Sequence, residues 1–222
     1  MLLFGATGMV GQGVLRECLR DSSIARILSV VRRPTSAPHE KVEELVHGDF
    51  HNFAPLGNRF REVDACLFCL GVSAVGMKEA DYEATTYGIT LAAAKTLADA
   101  RPDARFLYVS GAGTDSTERG RAMWARVKGK TENALLREPK LEAYMFRPGF
   151  IQPMDGIKSR TRLYRVIYGA SRPLAPLVKR LFPNAIVTTR ELGRAMVRVA
   201  AQGAPKRILE IRDIAQVARS PA

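Results

Sequence analysis

Three short stretches carry groups that could do chemistry. Gly5, Gly8 and Gly11 recur at three-residue intervals in GATGMVG, between a short apolar run and a helical pattern. Glycines at that place permit a tight turn and let the backbone approach a pyrophosphate. The helix N-terminus beyond them offers free N–H groups and a partial positive charge. Thr7, Met9 and Val10 complete the cradle. Arg32 and Arg33 end a run rich in Ile, Leu and Val, with no acid beside them. In a dinucleotide-binding sheet an acid there holds the ribose 2′-hydroxyl of NAD, whereas arginine accommodates the 2′-phosphate of NADP, which its fork fits. NADP(H) is therefore expected ahead of NAD. In MWARVK, Trp124 stands four residues before Lys128, and a helix brings side chains four apart to one face.

The elements that position these groups are legible. Residues 2–4, 25–33, 42–49, 64–71, 105–113 and 141–149 read as strands, and 10–20, 80–100 and 118–137 as helices. DACLFCLG is apolar almost throughout, as in a parallel strand buried on both faces. The alternation predicts an α/β fold, a Rossmann-type doubly wound parallel sheet with right-handed crossovers. Beyond Gly149 the alternation loosens. Residues 157–182 are basic and apolar, broken by Pro173 and Pro176; a helix over 188–201 and a last strand over 207–212 follow. Residues 1–150 are expected to form the nucleotide-binding core. Residues 151–222 are expected to complete the same domain as a small basic subdomain covering the substrate.

Bulk properties exclude several classes. The 222 residues are 46% hydrophobic and 25% charged, enough for one sizeable core. No apolar run approaches the ~20 residues of a membrane span, and no charged leader precedes the glycine loop, so a cytoplasmic location is expected. Cys18, Cys66 and Cys69 are an odd set that argues against a disulfide framework. Cys66 and Cys69 lie on one strand three apart, facing opposite sides. His39, His47 and His51 form no ligand constellation, and no metal is expected. Net charge is +12, unevenly spread: residues 1–155 hold 20 Lys+Arg against 19 Asp+Glu, residues 156–222 hold 14 against 3. Such a region suits an anionic partner. No motif accompanies the charge, so nucleic acid is not expected. SRTRLYRVIYGASRPLAPLVKRLF (159–182) could lie on an anionic membrane; its prolines shorten any helix, and a core-plus-lid role is preferred.

GATGMVG, HGDF, YVSGAG, VKGKTE and RPGFI follow in that order, with ILEIRDI a weaker echo. On these segments residues 2–150 resemble the short-chain dehydrogenase/reductase superfamily. Among its extended and atypical members they look most like the Tat-interacting oxidoreductase-like branch, often labelled epimerase/dehydratase-like. The resemblance implies roles. Asp49, with Phe50 beside it, matches the position that meets the adenine amino group. Leu70, Gly71 and Val72 match the loop packed against adenine and ribose, although an Asn-Ala-Gly-like sequence is commoner there. Pro148, Gly149 and Ile151 match the segment whose backbone approaches the nicotinamide carboxamide. Ser110 matches the serine that polarises a substrate carbonyl. Lys128 matches the lysine that holds the nicotinamide ribose and lowers a tyrosine's pKa, and Trp124 stands where that tyrosine belongs.

Tryptophan donates a hydrogen bond but does not titrate in a useful range. General acid–base help is worth about 10²–10⁴-fold in rate. No other tyrosine has lysine four residues on, so no register shift restores the pair. Three readings follow. The chain is an NADP(H) oxidoreductase of modified mechanism on a small-molecule substrate, with Tyr82, Tyr87, a subdomain tyrosine or water supplying the proton. Alternatively it is a cofactor-binding sensor or scaffold. As a third reading, the basic region serves a membrane surface. A homodimer through the long helices is what many relatives form.

Overall fold

The computed structural model describes residues 1–35, 39–157 and 186–220. In chain order it contains β1 (Leu2–Phe4), α1 (Met9–Arg20), β2 (Ile27–Val31), β3 (Val42–Val46), α2 (Gly57–Phe60), β4 (Ala65–Phe68), α3 (Glu79–Glu83), α4 (Ile89–Ala100), β5 (Ala104–Val109), α5 (Met123–Leu136) and β6 (Leu141–Arg147). Then come β7 (Phe150–Gln152), β8 (Ile186–Thr188), α6 (Thr189–Gln202), β9 (Ile208–Glu210) and α7 (Ile211–Arg219). Seven strands form one parallel sheet in the order β3-β2-β1-β4-β5-β6-β9. This is the doubly wound Rossmann architecture expected. The strand order reverses between β1 and β4, which opens a crevice at their carboxyl ends.

Side-chain alternation along the strands builds two cores. Leu2, Phe4, Leu28, Val30, Cys66, Phe68 and Phe106 face one side, covered by Ala93, Ala94 and Leu97 of α4 and Leu135 of α5. Leu3, Ile27, Ala65, Leu67, Leu107 and Phe146 face the other, covered by Val14 and Cys18 of α1 and Leu192, Ala195 and Met196 of α6. Cys66 joins the first core and Cys69 packs on the second. Burying each such large apolar side chain stabilises by roughly 1.5–3 kcal/mol.

Several elements differ from expectation, three of them for a local reason. The helix expected from residue 118 begins at Met123. The Asp115 carboxylate captures the backbone N–H groups of Thr117, Arg119 and Gly120 at 3.0, 3.0 and 2.6 Å. That turn offers those donors a partner outside any helix. The helix expected over 80–100 is broken by a π turn at Ala84–Gly88, between α3 and α4. There the Thr90 hydroxyl donates to the Thr86 carbonyl at 2.6 Å, a bond that bends helices. The last strand stops at Glu210, because Glu210 and Asp213 form a capping box that starts α7. β7 and β8, which pair with each other outside the main sheet, were not expected.

Within 151–222, β9 extends the main sheet beside β6, and α6 lies against α1. Most of the basic run, with Tyr164 and Tyr168, lies outside the described residues. Among the described residues no helix is long and apolar enough to cross a membrane.

α1 and α6 meet backbone to backbone. A Cβ on Gly13 would sit 2.7 Å from the Thr189 Cβ and 2.8 Å from its carbonyl oxygen, and one on Gly193 would sit 2.9 Å from the Gly13 oxygen. Beside this crossing the buried Glu17 accepts from Arg20 at 2.6 Å and Arg194 at 3.0 Å. Gly13→Ala must push the helices apart. It is expected to lower stability by about 1–3 kcal/mol in urea unfolding, the usual cost of overpacking.

Candidate functional site

The β1–α1 loop has the shape of a phosphate cradle. Gly5 adopts φ +79, where a side chain is strained, and its Cβ would lie 2.8 Å from the Cys69–Leu70 backbone. A Cβ on Gly11 would lie 2.0 Å from the Gly5 carbonyl oxygen. The loop thus closes tightly against the end of β4, and the Gly8 N–H donates to that same oxygen at 2.9 Å. Gly8 caps α1 without a side-chain bond, and no acid stands in the first turn. The first N–H groups of α1 therefore have no side-chain cap and lie in a field that favours anions.

A cleft of about 650 Å³ opens beside the loop. Gly5, Ala6 and Thr7 line one side, Arg32, Arg33, Pro34 and Thr35 another, and Phe50 and Leu70 the apolar part. Among the described residues no carboxylate lines it. Glu44 of β3 accepts from the backbone N–H and the hydroxyl of Thr35. Loop, arginines, Phe50 and Leu70 are therefore brought together. Asp49 is not in that lining; its carboxylate accepts from the His51 N–H at 2.9 Å and shapes the turn after β3. Gly71 and Val72 follow Leu70 without lining the cleft, and Val72 is exposed. Met9 and Val10 begin α1, with Val10 against the second core.

The carboxyl ends of β5 and β6 hold the other expected residues. Trp124 opens α5 and is 36% exposed, its indole over the loop at Gly113. One turn on, the Lys128 ammonium donates to the Ser110 carbonyl. Burial pushes the Lys128 pKa down to about 8, with Glu132 acting in the opposite direction. The Ala112 N–H donates to the Pro148 carbonyl at 2.8 Å, tying the two strand ends together, with Gly149 beyond. Ile151 pairs with Val187 in the small sheet.

Ser110 is positioned differently from expectation. Its hydroxyl is buried and engages the Glu132 carboxylate, with the Phe146 carbonyl at 3.1 Å. It faces the interior, so the bond that would polarise a carbonyl is already spent. Glu132 is fully buried and is also held by the Arg147 guanidinium, whose Nε lies 3.1 and 3.2 Å from its two oxygens. Arg147 reaches on to Ser116 at 2.6 Å and Glu210 at 3.1 Å. The sequence reading missed this network. Its signal was present: Glu132 stands four residues past Lys128 on one helical face, and Arg147 ends an apolar strand.

Of the described tyrosines, Tyr82, Tyr108 and Tyr144 are buried, and Tyr87 lies under the Lys130 ammonium, 4.9 Å from its ring centroid. Cys69, near the cradle, is held as a thiol, because burial raises its pKa. No group of three or more metal-ligating side chains occurs among the described residues.

A family model described as NAD(P)H-binding matches residues 5–171. Protein fmp52, mitochondrial, of Aspergillus niger is 30% identical over 156 residues, 67% of this chain. The chain spans 65% of the length of that relative. The structure of MoeE5 in complex with UDP-glucuronic acid and NAD superposes with a TM-score of 0.67 at 14% identity, covering 95% of this chain and 75% of that one. A short chain dehydrogenase from Burkholderia cenocepacia in complex with NADP gives 0.65 at 16% identity, covering 97% and 90%. At such identities the likeness shows the fold.

Breaking a buried ion pair by removing one partner strands the other charge. Glu132→Ala and Arg147→Ala are each expected to cost about 3–5 kcal/mol in urea unfolding. The double variant should cost less than the two added together, the mark of a coupled pair.

Proposed function

This chain belongs to the NAD(P)H-binding family and has the fold of the short-chain dehydrogenase and epimerase-like enzymes, and from that premise we propose that it is an NADP(H)-binding oxidoreductase of atypical mechanism, acting on a small-molecule substrate. The observation that carries the cofactor preference is the cleft in which Arg32 and Arg33 stand beside the glycine loop, with no carboxylate among the described lining residues. A 2′-hydroxyl needs an acceptor there, and a 2′-phosphate needs donors. Family and fold do not choose between the two cofactors, since one neighbour is described with NAD and another with NADP.

The residues fit the cofactor in order along the crevice. The cradle of Gly5, Thr7, Gly8 and Gly11, with the α1 N-terminus, would hold the pyrophosphate. Arg32 and Arg33 would take the 2′-phosphate, Phe50 and Leu70 would flank the adenine, and Lys128 would hold the nicotinamide ribose. A bound nicotinamide supplies hydride transfer. The chain's own part is to orient it and to move a proton. A second reading, a cofactor-binding sensor without turnover, draws on Trp124 at the tyrosine position and the inward Ser110 hydroxyl. Both readings share one binding site. A cytoplasmic location and a homodimer remain parts of the proposal; the Aspergillus relative carries "mitochondrial" in its name.

Trp124 is the only tryptophan, so its fluorescence reports the nicotinamide end directly. Titration with NADPH is expected to quench it saturably, and more tightly than NADH. Arg32→Ala/Arg33→Ala should weaken NADPH roughly 10–100-fold, the worth of a charge-assisted bond of about 1.5–3 kcal/mol, with little effect on NADH. Equal wild-type affinity for both, by fluorescence and calorimetry, would contradict the selectivity.

A further inference from the structure

With tryptophan at the tyrosine's place, a reduction at this site still needs a proton for the substrate oxygen. The described groups can be taken in turn. Tyr82, Tyr108 and Tyr144 are enclosed in the interior, and the Tyr87 ring carries the Lys130 ammonium 4.9 Å from its centroid. The Ser110 hydroxyl is committed to Glu132. His39 and His47 flank β3, which lies four strands from β5 in the sheet order, and the His51 ring packs beside Gly88 at the end of the π turn. Asp115 is occupied by its own turn. Lys128 stands at the strand end itself: half-buried on the α5 face that meets the end of β5, one turn from Trp124, its ammonium docked on the Ser110 carbonyl.

We propose that Lys128 performs the proton transfer at the substrate oxygen, and that Glu132 and Arg147 are positioning residues that hold it in place. The proposal rests on the oxidoreductase reading. The step balances as a carbonyl reduction. A bound reduced nicotinamide would supply hydride to the carbonyl carbon, and the carbonyl oxygen, receiving the displaced π pair, would take a proton from Lys128 Nζ. The neutral amine left behind regains a proton from water. In the oxidative direction the amine accepts the proton of the alcohol.

The geometry explains why a lysine can serve. An exposed ammonium holds its proton too tightly near neutral pH. Here enclosure favours the neutral amine and brings the pKa to about 8, in the range where a group both gives and takes protons. The surrounding charges keep it from falling further. On α5 itself Glu132 favours the ammonium. From β6, Arg147 is bonded to that same carboxylate, so the pair presents little net charge. From α3, Glu79 and Glu83 are taken by Arg126 and Lys130. β5 contributes the neutral Ser110 carbonyl and the buried Tyr108, whose phenol burial keeps protonated.

The test is nuclear magnetic resonance of protein grown on lysine labelled at Cε, with the Lys128 signal assigned by its loss in Lys128→Arg. Lys128 should titrate near pH 8, well below the ordinary lysine value of 10.5. In Glu132→Gln the midpoint should move lower, because the carboxylate that favours the ammonium is gone; a purely architectural Glu132 would leave it unmoved. Should that variant not fold, a stability measurement on wild type and Lys128→Met decides. Between pH 8 and 10.5 the unfolded chain keeps a proton the folded chain has released. Wild type should therefore gain stability relative to Lys128→Met across that window. Calorimetry at pH 8 in buffers of different ionisation enthalpy should show proton uptake as NADPH binds, lost in Lys128→Met. Titration of Lys128 with the exposed lysines, or binding without uptake, overturns the proposal. Absence of NADPH binding with the low midpoint intact would instead sink the cofactor reading and this role with it, leaving Lys128 a perturbed amine without a reaction.

Discussion

The crevice end formed by β5 and β6 depends on one buried carboxylate. Glu132 has no contact with solvent, so its charge is tolerable only where donors replace water. Arg147 from β6 supplies them, and the Ser110 hydroxyl at the end of β5 adds another. Those bonds fix how α5 lies across the two strand ends. The seat of Lys128 on the Ser110 carbonyl and the position of Trp124 over the loop follow from that placement. Through Arg147 the same carboxylate is linked to Glu210, where β9 hands over to α7.

The two ends of the crevice are built on different principles. At the phosphate end the chain presents backbone, and what matters is the absence of side chains at Gly5 and Gly11. At the β5 and β6 end it presents side chains held by buried polar partners. A binding site can therefore persist while the chemistry beside it changes, because the cradle does not depend on what stands at position 124. Dehydrogenase-like, epimerase-like and sensing proteins can share this fold for the same reason.

The sheet, the glycine loop and the arginine pair were legible in the sequence because each has a local cause: apolar runs of strand length, a glycine spacing with a helix behind it, and guanidinium groups at the end of a strand. The π turn at Ala84–Gly88 and the late start of α5 were not, because threonine back-bonds and the Asp115 turn compete with helix by hydrogen bonds that periodicity does not register. Ser110 shows the limit of reading roles by position. Its place at the end of β5 matched the expected serine, yet its hydroxyl points at a carboxylate twenty-two residues away in sequence. Nothing in YVSGAG announces that partner. Glu132 becomes visible only once α5 is laid on the sheet.

The proposed NADP(H) preference requires the cleft beside the glycine loop to read a 2′-phosphate. Calorimetry comparing adenosine 2′,5′-bisphosphate with adenosine 5′-monophosphate isolates that group, with no nicotinamide and no turnover involved. The account predicts that the bisphosphate binds at least about tenfold more tightly, as one added charge-assisted contact implies, and that the advantage shrinks as salt is raised. Equal binding of the two nucleotides would contradict it, leaving Arg32 and Arg33 as solvent-facing charges.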